Sequence, residues 1–513
     1  MTVISQPNVT LSIVSAETDV QNVEQRVLLV GQADGTATAG VLVENISSSG
    51  NPENTLFGAN SQLAEMVRAF KSVAPIVPVD AIPLTGVGAA REVEITVTGA
   101  ATAAGSYEVT VGSEIHHTVD VNVASGDAFG VVASAIAAAI TADTEAPFTA
   151  SATLGVVTVT AVDVGLVANG LSVGVSGSVA GIVFTPAITE TVAGTGIPVL
   201  AGVLDVATRR YQGIVWPWVS DTSEVVTYLG NRFNANNNIL DGVAFSGDVS
   251  SHAAALTSLL SLNSHDLVVI FDEAITEALY LGPAQNEASY AKSALFAGIR
   301  AMRLTQDAQI SRFLISSASL DQFGGPASAS LPYFNSVMVE LPGISSGRGW
   351  TDVEIEQLKD AGGSVLGVNR AGTNAVAGEM VTTYLTDGAG NPDPTFTTLN
   401  NVDVSSNMRE YFWNNLKAIY GQSRLTEGTL TPGRDMANSL SIATTVERLY
   451  TDLAGPSFVL VQDGEEALNF FKANLVVTTD LVTGTVQIAA QVPINTQLRN
   501  ILGTLQIAFS TNG

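Results

Sequence analysis

The stretch RVLLVGQADG, residues 26–35, decides the fold. Val27 to Val30 form an unbroken apolar run that ends in a glycine turn. Such a run reads as a strand buried on both faces, the kind found in parallel sheets covered by helices. The next segment, NSQLAEMVRAFKSVAP (60–75), sets Leu63, Met66, Val67 and Phe70 at helical spacing and stops before Pro75; IVPVDAIPL (76–84) follows as a second core strand. The same alternation returns far downstream. QGIVWPWV (212–219), a helix near 222–233, DGVAFSG (241–247), a helix near 251–262 and DLVVIFD (266–272) lead into an Ala-rich helix over roughly 287–306. SVMVEL (336–341) reads as a further strand. TDVEIEQLKDAGG (351–363) is a helix whose Thr351 and Glu354 have capping-box spacing and whose stop is Gly362 and Gly363.

Between these two α/β stretches the composition changes. No Lys or Arg occurs between Arg91 and Arg209, while residues 92–198 carry ten acids. EVEITVTG (92–99), GSYEVTVG (105–112), HHTVDVNV (116–123), FTASATL (148–154) and VVTVTAVD (156–163) alternate as strands, and one helix over 127–143 interrupts them. The expected fold is therefore an α/β core domain (26–91 and 199–380) split by an acidic, β-rich inserted domain (92–198). A C-terminal α+β domain (381–492) follows, with helices near 403–420 and 435–454 before the hairpin ANLVVTTDLVTGTVQIAAQV (473–492). This last part is nearer charge balance, with twelve acids against seven Lys and Arg over 381–513.

Both chain ends read as half-buried strands. NVTLSIVSA (8–16) sets Val9, Leu11 and Ile13 against Thr10 and Ser12, and LRNILGTLQIAFSTNG (498–513) alternates Leu505, Ile507 and Phe509 with polar or small residues. Chain ends fray unless tied down, so an N-terminal arm (1–25) and a C-terminal arm (493–513) each call for a sheet to join.

Composition excludes several functions. At 513 residues the chain is long enough for about three or four domains. Its charged fraction is 13%, about half the usual value, so much of the surface is neutral. A Ser/Thr covering accounts for that, and so does extensive subunit contact, because interface cores are depleted of Lys, Glu and Asp. A net charge of −27, with 21 scattered basic residues, repels a phosphate backbone and speaks against nucleic acid binding. Cysteine is absent, which removes disulfides and thiolate ligands. MTVISQPNVT lacks the positive start of a signal peptide, and the longest apolar run, VVASAIAAAI (131–140), is about half a membrane span. A soluble, cytoplasmically made product without membrane insertion is expected.

No bond-making chemistry emerges. GISSG (343–347) matches a Gly-x-Ser-x-Gly pattern around Ser345, but the following helix begins only near Asp352, too late for a nucleophile elbow. His116, His117, His252 and His265 show no metal or triad spacing. TDGAGNPDPT (386–395) places Asp387, Asn391 and Asp393 in a turn without the twelve-residue calcium-loop spacing. VLLVGQADGTATAG has glycines after a strand but neither the dinucleotide nor the phosphate-loop order. No catalytic residue, cofactor or metal is expected.

Several stretches together resemble one family, the tail sheath proteins of contractile-tailed bacteriophages, in particular the Mu-like group. They are FGANSQLAEMVRAFKSVAP (57–75), IVWPW (214–218), AKSALFAGIRAMRLTQDAQISR (291–312), VTTYLTDGAGNPD (381–393), FFKANLVV (470–477) and PINTQLRNILGTLQIAF (493–509); SGDAFGVVASAIAAAI and VGLVANGLSV resemble the insertion such sheaths carry. The resemblance implies a non-enzymatic structural subunit. It polymerises as stacked hexameric rings around a tail tube and contracts when the baseplate triggers it, driving the tube through the host envelope for genome delivery. Implied partners are other copies of the chain, the tail tube protein, and baseplate and tail terminator proteins; the implied place is the virion's contractile tail, assembled in the host bacterial cytoplasm. It also implies that the arms, through Val9, Leu11, Ile13, Leu505, Ile507 and Phe509, add strands to neighbouring subunits, and that the C-terminal domain faces the tube. Glu465, Glu466 and Lys472 are candidate tube contacts, against the alternative that their helix packs on its own subunit through Leu468 and Phe471. Two other classes compete: a secreted or surface-layer adhesin, suggested by acidity and the β-rich insertion, and a hydrolase using Ser345.

Overall fold

A computed structural model describes residues 25–111, 117–171, 173–184, 188–231, 242–273, 289–306, 350–368, 374–376, 380–430, 435–455 and 461–495. The six arm residues Val9, Leu11, Ile13, Leu505, Ile507 and Phe509, the strand at 336–341, the pattern around Ser345 and His116 lie outside the described residues. The protein is a mixed α/β molecule built on several sheets.

The chain opens with β1 (Val27–Gln32), α1 (Gln62–Val73) and β2 (Val79–Leu84). The Ser61 side chain caps α1 by accepting the Ala64 N–H at 3.3 Å. The chain then leaves this sheet for β3 (Ala90–Gly99), β4 (Gly105–Val111), β5 (His117–Val123), α2 (Phe129–Ala142), β6 (Phe148–Thr153), β7 (Val156–Val164), β8 (Val173–Gly177), β9 (Ile182–Phe184) and β10 (Thr189–Val192). It returns with β11 (Gly213–Val215), α3 (Ser223–Gly230), β12 (Val243–Ser250), α4 (His252–Leu259), β13 (Leu267–Glu273), α5 (Ser289–Gln306), α6 (Asp352–Asp360), β14 (Gly363–Val368) and β15 (Asn374–Val376). As the spacing predicts, Thr351 and Glu354 close a capping box on α6, and Gly362 ends it at φ +86°.

The first and last groups share a seven-stranded sheet in the order β15-β14-β13-β12-β11-β1-β2, parallel except at the β14–β15 edge. Every residue of β1, β2 and β11 is buried, which explains their largely apolar sequences, and the one charged residue among them, Asp80 of β2, is paired with Arg26. The crossovers β1→β2 and β11→β12 run in opposite directions across the sheet, so right-handed connections place α1 and α3 on opposite faces. Helix α5 packs against α1 and against β11, β12 and β13. Strand order therefore reverses between β1 and β11, the position where a doubly wound sheet opens a crevice beyond its carboxyl ends.

The intervening strands form two smaller antiparallel sheets, β10-β3-β7-β6 with β9 added to β3, and β5-β4-β8. Burial alternates along β3 and β7, the signature of strands with one wet face, and α2 covers the other face through Val132, Ile136 and Ile140. Their apolar residues join the central sheet in one continuous cluster, from Val27 through Val93, Ile136 and Val159 to Phe271.

Beyond β15 come α7 (Leu399–Tyr420), the short pair β16 (Arg424–Leu425) and β17 (Met436–Ala437), α8 (Ser439–Ala454), α9 (Glu465–Ala473), β18 (Val476–Asp480) and β19 (Thr485–Ala489). Helix α7 begins before the expected residue 403: Thr398 caps it by accepting the Asn401 N–H at 3.4 Å. Asn400, Asn401 and Asp403 are weak helix formers, and their burial against neighbouring elements overrides that preference. Met380, Leu399 and Val402 belong to the large cluster, whereas a second cluster starts at Val404 and gathers Ile442, Val446, Tyr450, Leu453 and Phe471. The C-terminal unit thus has its own core, and α7 passes from one core to the other.

Candidate assembly surface

The surface around β18 and β19 differs from the rest of the molecule. These strands pair only with each other among the described residues, in a register running from Val476↔Ala489 to Asp480↔Thr485. An isolated two-stranded hairpin is at best marginally stable in water, so its support has to come from beneath. Val477 and Val486 supply it by packing on the second cluster. The outer face is open and mostly polar, carrying Thr478, Asp480, Thr485 and Gln487 beside Val476, which is 55% exposed, while the turn displays Leu481 at 51% and Val482 at 96%. Asp480 shapes that turn by accepting the Val482 N–H at 2.8 Å and the Thr483 hydroxyl at 2.8 Å. Those hydrogen bonds hold its carboxyl below the usual range.

Helix α8 packs against β18, and α9 packs on α8. Asn438 and Ser441 close a capping box at the start of α8, whose buried stripe carries Ile442, Val446, Leu449, Tyr450 and Leu453. Phe471 of α9 is fully buried and stacks on Tyr450 with centroids 4.3 Å apart, and Leu468 packs partly buried beside it. The Tyr450 hydroxyl in turn donates to the Gln462 carbonyl at 2.8 Å. Lys472 reaches back to Glu447 of α8 at 3.2 Å. Glu465 and Glu466 stand exposed in the first turn of α9, where the helix dipole favours them, and Phe470 is 46% exposed beside them. Of the three candidate contacts, the two acids face outward and Lys472 is tied within the subunit.

The described residues are pinned near both of their ends. Towards the C-terminal end, the Gln462 N–H donates to the Pro493 carbonyl at 2.9 Å, Val461 bridges to Ile494, and the Asn495 amide donates to the Val461 carbonyl at 2.8 Å. Towards the N-terminal end, Arg26 pairs with the fully buried Asp80 at 2.8 Å. Asp80 also accepts the Tyr211 hydroxyl at 2.8 Å and the Asn45 N–H at 2.7 Å. Burial and the Asp80 carboxylate push the Tyr211 hydroxyl far above its ordinary value.

The remaining sequence candidates do structural work. Nδ1 of His117 lies 2.8 Å from Asp143, His252 packs its ring near Trp350, and His265 near Phe396 and Tyr384. Asp387 accepts the N–H groups of Ala389 and Asn391, and Asp393 accepts the Tyr384 hydroxyl, so both carboxylates brace their own loop. No group of three or more His, Cys, Asp and Glu residues able to hold a metal occurs among the described residues, nor does a helix long and apolar enough to cross a membrane. Sequence reasoning missed the Asp80 network and the Tyr450–Phe471 stack. The sequence carries no local signal for either, since Asp80 and Tyr211 are 131 residues apart and Tyr450 and Phe471 are 21 apart.

No family model matches the sequence. A curated relative, the tail sheath protein of the Mu-like prophage FluMu of Haemophilus influenzae, is 34% identical over 139 residues, which are 26% of this chain and 28% of the relative. Among solved structures, the sheath tail protein of Desulfitobacterium hafniense aligns over 97% of this chain and 96% of its own, with 13% identity and a TM-score of 0.43. The contracted helical sheath of the anti-feeding prophage aligns over 99% of this chain and 100% of its own, with 13% identity and a TM-score of 0.42.

Proposed function

We propose that this chain is a structural, non-enzymatic subunit of a contractile tail sheath, polymerising as stacked hexameric rings around a tail tube. The observation that carries this reading is the 34% identity to a Mu-like tail sheath protein over 139 residues. The open hairpin agrees with it. A two-stranded sheet whose edges are unpaired among the described residues is a template for strands from other copies, and main-chain pairing supplies the affinity.

In this reading residues 92–198 form an outward domain, 26–91 and 199–380 the core, and 381–492 the tube-facing unit. The arms, 1–25 and 493–513, exchange strands with neighbouring subunits. The acidic, Lys- and Arg-free composition of the insertion suits solvent exposure, and Glu465, Glu466 and Phe470 are the outward candidates for tube contact. Partners are the tube, baseplate and tail terminator proteins, and the place is the virion tail. Electron microscopy of the purified protein tests the proposal. Rings or tubes support it; dispersed single particles under all assembly conditions, or a Ser345-dependent esterase activity, would overturn it.

A further inference from the structure

Residues Gln32, Gln62 and Asp163 meet at the carboxyl end of β1. The Gln32 N–H donates to Oε1 of Gln62 at 2.8 Å, and the Gln32 amide donates to the Val164 carbonyl at 2.8 Å. The Gln62 N–H, at the first position of α1, donates to Oδ2 of Asp163 at 2.5 Å. Gln32 closes β1 and Gln62 opens α1, so both belong to the central sheet unit, whereas Asp163 and Val164 end β7 of the inserted strands. A helix N-terminus favours a negative group, and here the chain supplies its own acid.

We infer that the Gln32–Gln62–Asp163–Val164 clasp seats the inserted domain on the corner between β1 and α1. Two further contacts share the load. The Asn54 amide donates to Glu145 at 2.9 Å while Arg68 donates to Asn54 at 3.0 Å, and the short helix Leu166–Gly170 touches α5. Space at the junction is tight: a Cβ on Gly86 would lie 2.3 Å from Oε1 of Gln32 and 2.7 Å from a Val164 methyl. Desolvation outweighs the Gln62 hydrogen bond and, with the charge of nearby Asp34, pushes the Asp163 carboxyl up to about 7. The clasp stands independently of the sheath proposal, because it concerns one subunit.

The test is amide hydrogen exchange on full-length Asp163→Ala and Asp163→Asn. The alanine variant removes the acceptor, so the Gln62 amide should exchange at least about tenfold faster, and protease cleavage near residues 85–89 and 195–199 should rise. Asparagine keeps an acceptor oxygen and should leave Gln62 protected. Unchanged exchange and cleavage in Asp163→Ala overturn the clasp. Should the alanine variant fail to fold, Asp163→Asn decides: a protected Gln62 supports the inference, and an unprotected one overturns it.

Discussion

Arg300 of α5 and Asp403 of α7, 103 residues apart in the chain, form a buried ion pair. The guanidinium Nε lies 3.1 and 3.2 Å from the two carboxylate oxygens, and Nη2 donates as well. The remaining Nη1 donates to the Gln212 carbonyl at 2.6 Å. Two turns further along α7, Glu410 accepts from Arg210 at 2.6 Å, so one face of the helix is bolted to the central sheet unit. Since α7 also enters the second hydrophobic cluster, it is the strut between the core and the C-terminal unit.

Breaking that bolt should be costly. Asp403→Ala leaves Arg300 charged and buried, which typically costs about 3–5 kcal/mol. Urea denaturation of the single variant checks this, and a loss below about 1 kcal/mol would show that the guanidinium finds other partners. The paired change Arg300→Met with Asp403→Leu should recover most of the loss, because a well-packed apolar pair removes both desolvation costs.

Stability should fall as pH rises through the range set by Asp163. Its carboxyl sits at about 7 in the folded protein against an ordinary value of 3.8, so between these limits the folded state binds more protons than the unfolded one. The stabilisation is complete below about pH 4 and lost above about pH 7. Denaturation midpoints at pH 5 and pH 8 measure the slope, and Asp163→Asn should flatten it. A slope identical in both proteins would assign the effect to other groups.

At the hairpin base, Phe471→Ala should destabilise the C-terminal unit by about 3–5 kcal/mol, the usual cost of emptying a buried aromatic site. Lys472→Gln removes only a partly exposed pair with Glu447 and should cost less than about 1 kcal/mol. Circular dichroism melts separate the two. If the sheath proposal holds, Glu465→Lys with Glu466→Lys should fold normally yet co-sediment poorly with tail tubes.

Removing 92–198 with a short linker should leave assembly intact, because the proposed lattice contacts lie elsewhere. The truncated protein should nevertheless melt earlier, since Gln32, Gln62 and part of a continuous apolar cluster become exposed. A folded truncation that never assembles places the insertion in the lattice.

The arms carry the last prediction. Burying Leu505, Ile507 and Phe509 contributes about 1.5–3 kcal/mol each, while ordering about six residues costs about 1–2 kcal/mol apiece, so a single arm is marginal. In the proposed sheath, two arms per subunit in a ring would raise the effective concentration and stabilise the lattice. Deleting 494–513, or Ile507→Asp, should give folded monomers in sedimentation; normal contractile tubes from either variant refute the arm assignment.

Local chemistry made many elements legible in the sequence. The run Val27–Val30 fixed a doubly buried strand, Leu63, Met66 and Phe70 fixed the face of α1, and Thr351 with Glu354 fixed the start of α6, because periodicity and caps act within a few residues. The alternation in β3 and β7 was equally plain. Partner choice was not. That β1 lies between β2 and β11, that Asp163 meets the start of α1, that Arg300 meets Asp403 and that Phe471 stacks on Tyr450 are relations across tens to hundreds of residues. A sequence period states which side of an element is apolar and leaves open what it faces. Asn400, Asn401 and Asp403 make the point: local propensity disfavours a helix there, and burial together with the Arg300 ion pair creates one.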